Sequence, residues 1–184
     1  MMIWAISHIC IMWRYFDDKG RENMAIRLLK IILVFFVGLQ GFLYAAGNVA
    51  NWDAATGVVG YVLGMVGHEV YGTHLIPPIT HTTLITMALI FIIMGELLVG
   101  LLSFKGVWDL WTSRKSDADT FNEAKKFAVL GAGMALVVWF GGFIVLGGAL
   151  FQMWQTQVGT NSFNGSFIYA ATSGLVLLFV NSKD

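Results

Sequence analysis

Charge is scarce in this 184-residue sequence: Lys, Arg, Asp and Glu make up 12% of it against 57% hydrophobic residues, about half the charged share of a typical soluble domain. With a mean hydropathy of +0.72, this composition is that of a membrane protein. The formal net charge is zero, and the basic residues form no face that could collect phosphates, which argues against nucleic acid binding. Cysteine is represented by Cys10 alone, so an intramolecular disulfide and any cysteine-based metal spacing are excluded. No GxSxG, Walker A, HExxH or dinucleotide fingerprint occurs. The absence of a paired acid, base or nucleophile points away from an enzyme, and nothing calls for a cofactor.

What charge there is has a pattern. Arg14, Lys19, Arg21, Arg27 and Lys30 precede or open the first apolar stretch, Lys105, Arg114, Lys115, Lys125 and Lys126 separate the second from the third, and Lys183 follows the fourth. The segments 47–81 and 152–166 contain no Lys or Arg. Basic loops resist transfer across an energised membrane and stay cytoplasmic. The expectation is therefore an all-α polytopic protein of the bacterial cytoplasmic (inner) membrane, with four transmembrane helices and both termini inside.

A helix crossing a hydrocarbon core of ~30 Å needs about 20 mainly apolar residues. Four segments qualify: Ile26 to Ala46, Thr82 to Phe104, Phe127 to Met153, which is long enough to span with tilt, and Phe163 to Asn181, whose outer third is polar. Trp52 and Trp154 fall at the expected outer boundary and Trp108 and Trp111 at the inner one, where indole rings prefer to sit. Residues 1–23 are read as an N-terminal extension preceding a single four-helix domain of residues 24–184, with translation starting naturally at Met24 or the extension lying on the membrane as a cytoplasmic stub. A signal peptide from Met24, processed near Ala45-Ala46-Gly47, is the other possibility and would leave three spans.

Phe121-Asn122-Glu123-Ala124-Lys125-Lys126-Phe127-Ala128 runs into a helix and is followed by Trp139-Phe140-Gly141-Gly142-Phe143, Gly147-Gly148, Met153-Trp154-Gln155 and Asn164-Gly165. Together with Glu96 and Val62-Leu63-Gly64-Met65, this ensemble resembles the bacterial family of predicted small integral membrane proteins, a domain of unknown function. The resemblance covers most of residues 24–184. Ala149-Leu150 stand where that family tends to have Glu-Trp, and Phe163 stands where a Trp is usual. The resemblance implies a four-helix inner-membrane protein and no established activity.

Glu96 is the one acidic residue inside a span. It lies eight residues from Phe104, ~12 Å from the inner boundary of a regular helix, too deep to reach water by snorkelling. An ionised side chain there costs on the order of 3 kcal/mol, so it must be protonated, paired or facing a wet cavity. Ser173 and Thr172 fall at similar depth, with Gln40 and Trp139 a turn or two further out. Glu96 hydrogen-bonding one of these would tie the bundle together; a proton or cation site is the sharper reading. The glycines of the third span, with Ala128, Ala132 and Ala135, suit close internal helix packing. Gly57, Gly60, Gly64 and Gly67 recur along one side of a short outer-face helix expected at Ala54 to Val70, between the first and second spans, lying on or dipping into the outer leaflet, with a re-entrant pore element as the alternative.

His68, Glu69, His74 and His81 share this outer loop as a candidate interaction surface. Imidazole and carboxylate donors suit zinc or copper, but spacings of six and seven residues across Pro77-Pro78 match no compact ligand motif, so exposed or turn histidines are the plainer reading. The sequence leaves two functional classes in front: a non-enzymatic membrane interaction module, such as an accessory subunit or immunity-type protein binding other membrane proteins or itself, and a small oligomeric channel or proton- or cation-linked transporter using Glu96.

Overall fold

The computed structural model describes the backbone of residues 2–184 and the side chains of residues 23–184; the reading of residues 1–23 as an extension thus falls outside the described residues. Six α-helices follow in chain order: α1 (Met2–Ala50), α2 (Trp52–Leu63), α3 (Thr82–Ser113), α4 (Ala118–Glu123), α5 (Lys126–Leu136) and α6 (Gln157–Asn181). A π-helical segment, Val137–Leu150, continues α5, and a short 3-10 turn, Met153–Gln155, precedes α6. Four stretches are long and apolar enough to cross a bilayer: Asn23–Ala50, Thr82–Ser113, Ala118–Leu150 and Gln157–Asn181.

Helices in lipid gain nothing from leaving one apolar solvent for another, so close backbone approach and polar contacts must hold them together. Small residues provide that approach. A Cβ on Gly41 of α1 would stand 2.7 Å from the Glu96 carbonyl oxygen, and one on Gly38 would stand 2.9 Å from the Ser103 Cβ. On the other side of α3, a Cβ on Gly106 or Gly131 would collide with the backbone of Ala128 or Ser103 respectively. α3 is thereby clasped between α1 and α5. α6 closes the bundle against α5 and the π-helical segment. Val37, Val99, Ala132, Ala135, Trp139 and Ala170 form the central core, and Ile31, Val34, Leu110, Phe121, Ala128 and Val180 form a second cluster at the end rich in Lys and Arg, called here the basic end. Phe36, Phe91, Leu101, Leu175 and Leu178 point outward, the faces a bilayer would cover.

Several boundaries differ from the sequence reading. The short helix between the first two spans stops at Leu63 rather than Val70, because Met65 (φ 50°) and Gly67 (φ 74°) adopt left-handed backbone that ends α-helical winding. Only Gly57 and Gly60 of the glycine stripe therefore lie within it. α3 runs on to Ser113, so most of the expected Lys105–Lys126 loop is helical; Lys105 pairs with Asp109 one turn on, and Leu110 is fully buried. α6 begins at Gln157 rather than Phe163, where the Thr156 hydroxyl accepts from the Gly159 N–H at 3.1 Å and caps it. The third span changes winding at Val137: the Phe151 N–H reaches back five residues to the Leu146 carbonyl at 2.9 Å, and Gln152 (φ 54°) ends it in the left-handed region.

Candidate functional site

Glu96 sits near the middle of α3 and is 1% exposed. Its Oε2 accepts a hydrogen bond from the Asn48 Nδ2 on α1 at 2.9 Å, and among the described residues no Lys or Arg is paired with it. One donor leaves most of a carboxylate's acceptor capacity unused. The carboxylate instead borders a cavity of about 580 Å³ whose wall also includes Tyr44, Asn51, Trp139, Ser166 and Tyr169. Tyr44, Trp139 and Tyr169 form an aromatic group, with ring centroids 6.2 Å apart for Tyr44–Trp139, 5.6 Å for Trp139–Tyr169 and 5.0 Å for Tyr44–Tyr169. The Tyr44 hydroxyl donates to that of Tyr169, joining α1 to α6 at the cavity wall.

Helical spacing explains how these side chains converge. Tyr44 and Asn48 are one turn apart on α1, and Ser162, Ser166 and Tyr169 recur at four and three residues on α6, so each set occupies one face. Trp139 and Phe143 project from the π-helical segment, a winding that is rare and frequently found at functional sites. Away from the cavity toward the basic end, Val99 and Ser103 are fully buried and the α3–α5 contact is tight.

Of the side chains expected around Glu96, Trp139 lines its cavity and the others do not. Ser173 is buried with its hydroxyl unpartnered, Thr172 is exposed and bonds to the Ile168 carbonyl of its own helix at 2.8 Å, and Gln40 is half-buried away from the wall. The partner is Asn48, because α1 continues to Ala50 instead of ending near Ala46. Asn48, Tyr44 and Tyr169 were not singled out by depth counting; the four-residue step from Tyr44 to Asn48 is the signal that identifies them.

The outer-loop candidates separate into pairs and singles. His68 and His74 pack with rings tilted by 60° and centroids 5.5 Å apart, and His74 Nδ1 lies 3.3 Å from the Gln152 Oε1. Burial, and then the neighbouring His74, push the His68 imidazole below its ordinary value. His81 stands at the N-cap position of α3 without a capping bond from its side chain and is exposed, as is Glu69. Among the described residues no group of three or more His, Cys, Asp or Glu converges. This loop is held to the 3-10 turn by Gln155, whose Oε1 accepts from the Val70 and Tyr71 N–H groups at 2.9 and 2.8 Å, and by the edge-on contact of Tyr71 with Trp154.

At the basic end the buried cations are tied to carbonyls and one carboxylate. Arg27 bonds to Asp184 (Nε to Oδ2 2.6 Å) and to the Arg114 and Ser116 carbonyls at 2.9 and 2.6 Å. Lys30 and Lys125 both donate to the Ser182 carbonyl, at 2.9 and 2.7 Å. Asp117 caps α4 through the Thr120 N–H, and that bond, followed by the one from the Thr120 hydroxyl, holds its carboxyl below the usual range.

This arrangement of four spans, with glycine-mediated contacts along α3 and α5, accords with comparison to known families: residues 26–183 match the predicted small integral membrane protein family, DUF2165. The chain belongs to that family. The match takes in all four spans, Glu96 and the aromatic group, so the cavity lies wholly within the family domain. No curated protein and no solved structure matches the chain.

Proposed function

We propose that this protein is a non-enzymatic, cation- or proton-linked carrier of the bacterial cytoplasmic membrane, with Glu96 as its binding group and the basic end in the cytoplasm. The observation that carries this reading is the placement of Glu96: a buried carboxylate with one hydrogen-bond donor, bordering a cavity instead of a paired cation. A carboxylate serving only to tie helices has reason to be enclosed by its partners, since buried acidic groups within membranes are costly unless satisfied. Closure beyond Glu96, at Val99 and Ser103, favours a carrier that exposes its site to one side at a time over an open channel. The orientation rests on the clustering of Lys and Arg at the opposite end from the cavity mouth.

The test is flux in reconstituted vesicles. Cation-driven or proton-driven flux should be lost in Glu96→Gln while the variant remains folded and retains the Asn48 contact, because Gln keeps an oxygen acceptor. Equal flux in both proteins would overturn the carrier reading.

A second reading has its own support. Val66, Val70, Tyr71 and Leu75 are exposed in the loop between α2 and α3, which suits a module that meets another membrane protein, or a second copy of itself, at that face. Co-purification of a stoichiometric partner that is released when Leu75 and Tyr71 are replaced by Ser, with flux absent, would favour it.

A further inference from the structure

A second cavity, of about 590 Å³, adjoins the first. Val58, Val59, Ile92, Phe143 and Ser162 form walls of both. Its lining is otherwise almost entirely apolar, with Met87, Phe91, Met134, Val137 and Leu146 around it; all of these but Met134 are exposed, so it opens on the face a bilayer would cover, and neither Glu96 nor the Tyr44–Trp139–Tyr169 group reaches it. One α-helix thus presents a carboxylate to a mainly apolar chamber that also holds Asn48, Asn51, Asn161 and Ser166 in its wall and, from Gly95 next to it, a small-residue surface to an almost wholly apolar one.

We propose that the ligand is a lipophilic organic cation, a substituted ammonium carrying an alkyl or aryl tail, with its head at Glu96 and its tail in the adjoining apolar chamber. The inference rests on the reading of Glu96 as a cation site and adds the class of cation. Size argues for it first. Each chamber falls in the range of sites for drug-sized ligands, far larger than a bare metal ion needs. Coordination argues the same way: a hard cation wants six or more oxygen ligands, and among the described residues no cluster of acidic or imidazole groups gathers here. Aromatic faces beside a single carboxylate are instead the surroundings that attract an alkylated ammonium, through the ring quadrupoles and one opposite charge. Three methionines in the apolar wall, Met87, Met134 and Met153, add side chains that repack around tails of different shape.

Glycines provide a way to separate the chambers experimentally. A Cβ added at Gly142 would meet nothing within 4 Å, and Gly142 lines the apolar chamber only. Gly142→Leu therefore fills the tail site without touching the head site. The protein in lipid nanodiscs would be titrated calorimetrically with tetramethylammonium, hexyltrimethylammonium and 1-hexanol, with empty nanodiscs subtracted.

The expected result is that hexyltrimethylammonium binds at least about tenfold more tightly than tetramethylammonium, from burial of the added methylenes, while hexanol, lacking the charge, is bound far more weakly. Glu96→Gln should lose both cations, and Gly142→Leu should keep tetramethylammonium but lose the gain from the chain. Glu96-dependent binding with no gain from the chain would overturn the ligand class and leave the Glu96 site standing. A gain that survives Gly142→Leu would overturn the tail site. Cation binding indifferent to Glu96→Gln, or no binding of either cation, would overturn both. Should Gly142→Leu fail to give monodisperse protein, the comparison of the two cations on the unaltered chain decides the ligand class by itself.

Discussion

The two ends of the bundle treat their buried charges in opposite ways. At the basic end Arg27, Lys30 and Lys125 are each almost fully buried, yet Arg27 has a carboxylate and two carbonyls, and the lysines share the Ser182 carbonyl. At the other end Glu96 is as deeply buried and has one amide donor and a cavity. Packing is mixed: Gly106 and Gly131 near the basic end have no room for a methyl group, nor have Gly41 at the Glu96 carbonyl and Gly95 in the apolar wall, whereas Gly47 and Gly142, each lining one cavity, face open space. The basic end thus ties its buried charges to carbonyls and one carboxylate, while Glu96 borders open volume.

The comparison breaks most severely if Arg27 is removed. Arg27→Ala leaves Asp184, whose side chain is 4% exposed, as an uncompensated buried charge, and should cost about 3–5 kcal/mol, seen as a large fall in thermal stability in detergent. Next comes Gly106→Leu, which forces α3 from α5 and should cost about 1–3 kcal/mol; its counterpart at the open end, Gly47→Ala, should be neutral or stabilise by up to about 1 kcal/mol through helix propensity. Equal effects at the two glycines would remove the distinction between the halves. Asn48→Ala deletes the donor to Glu96 and should cost about 1 kcal/mol, measured by the same melting experiment.

The smallest effect concerns pH at the His68 loop. His68 is pushed below its ordinary value, so the packed loop favours the neutral ring. That contribution is present above the unfolded-state value of about 6.5 and is lost as pH falls below it. Amide exchange at 66–74 should therefore accelerate between pH 7.5 and 5 while exchange in α5 follows only the intrinsic pH dependence. A loop equally protected at both pH values, after that correction, would contradict the assignment.

The four spans were legible in the sequence because hydropathy acts over whole segments. Glu96 was legible too, as the lone acid in an apolar run. Its surroundings were not. Counting depth along separate helices selected Ser173, Thr172 and Gln40, but depth says nothing of rotation, and the helices turn Ser173 into the core and Thr172 toward lipid. Asn48 lay beyond the apolar segment and was excluded by composition, although α1 carries it one turn past Tyr44. The π-helical winding of Val137–Leu150 and the left-handed residues Met65 and Gln152 depend on tertiary packing, for which no local residue pattern stands as a signal.

The most direct test of the central claim, that Glu96 makes its cavity a site for cations, uses the single cysteine to advantage. With Cys10 replaced by Ser, Ser166→Cys places one thiol on the cavity wall, and its reaction rates with a cationic and an anionic methanethiosulfonate reagent of similar size are compared with and without Glu96→Gln. The account predicts that the cationic reagent is favoured with Glu96 present and that the preference falls by about tenfold, the effect of one nearby charge at intermediate dielectric, when Gln replaces it. An identical ratio of rates in the two backgrounds would contradict it.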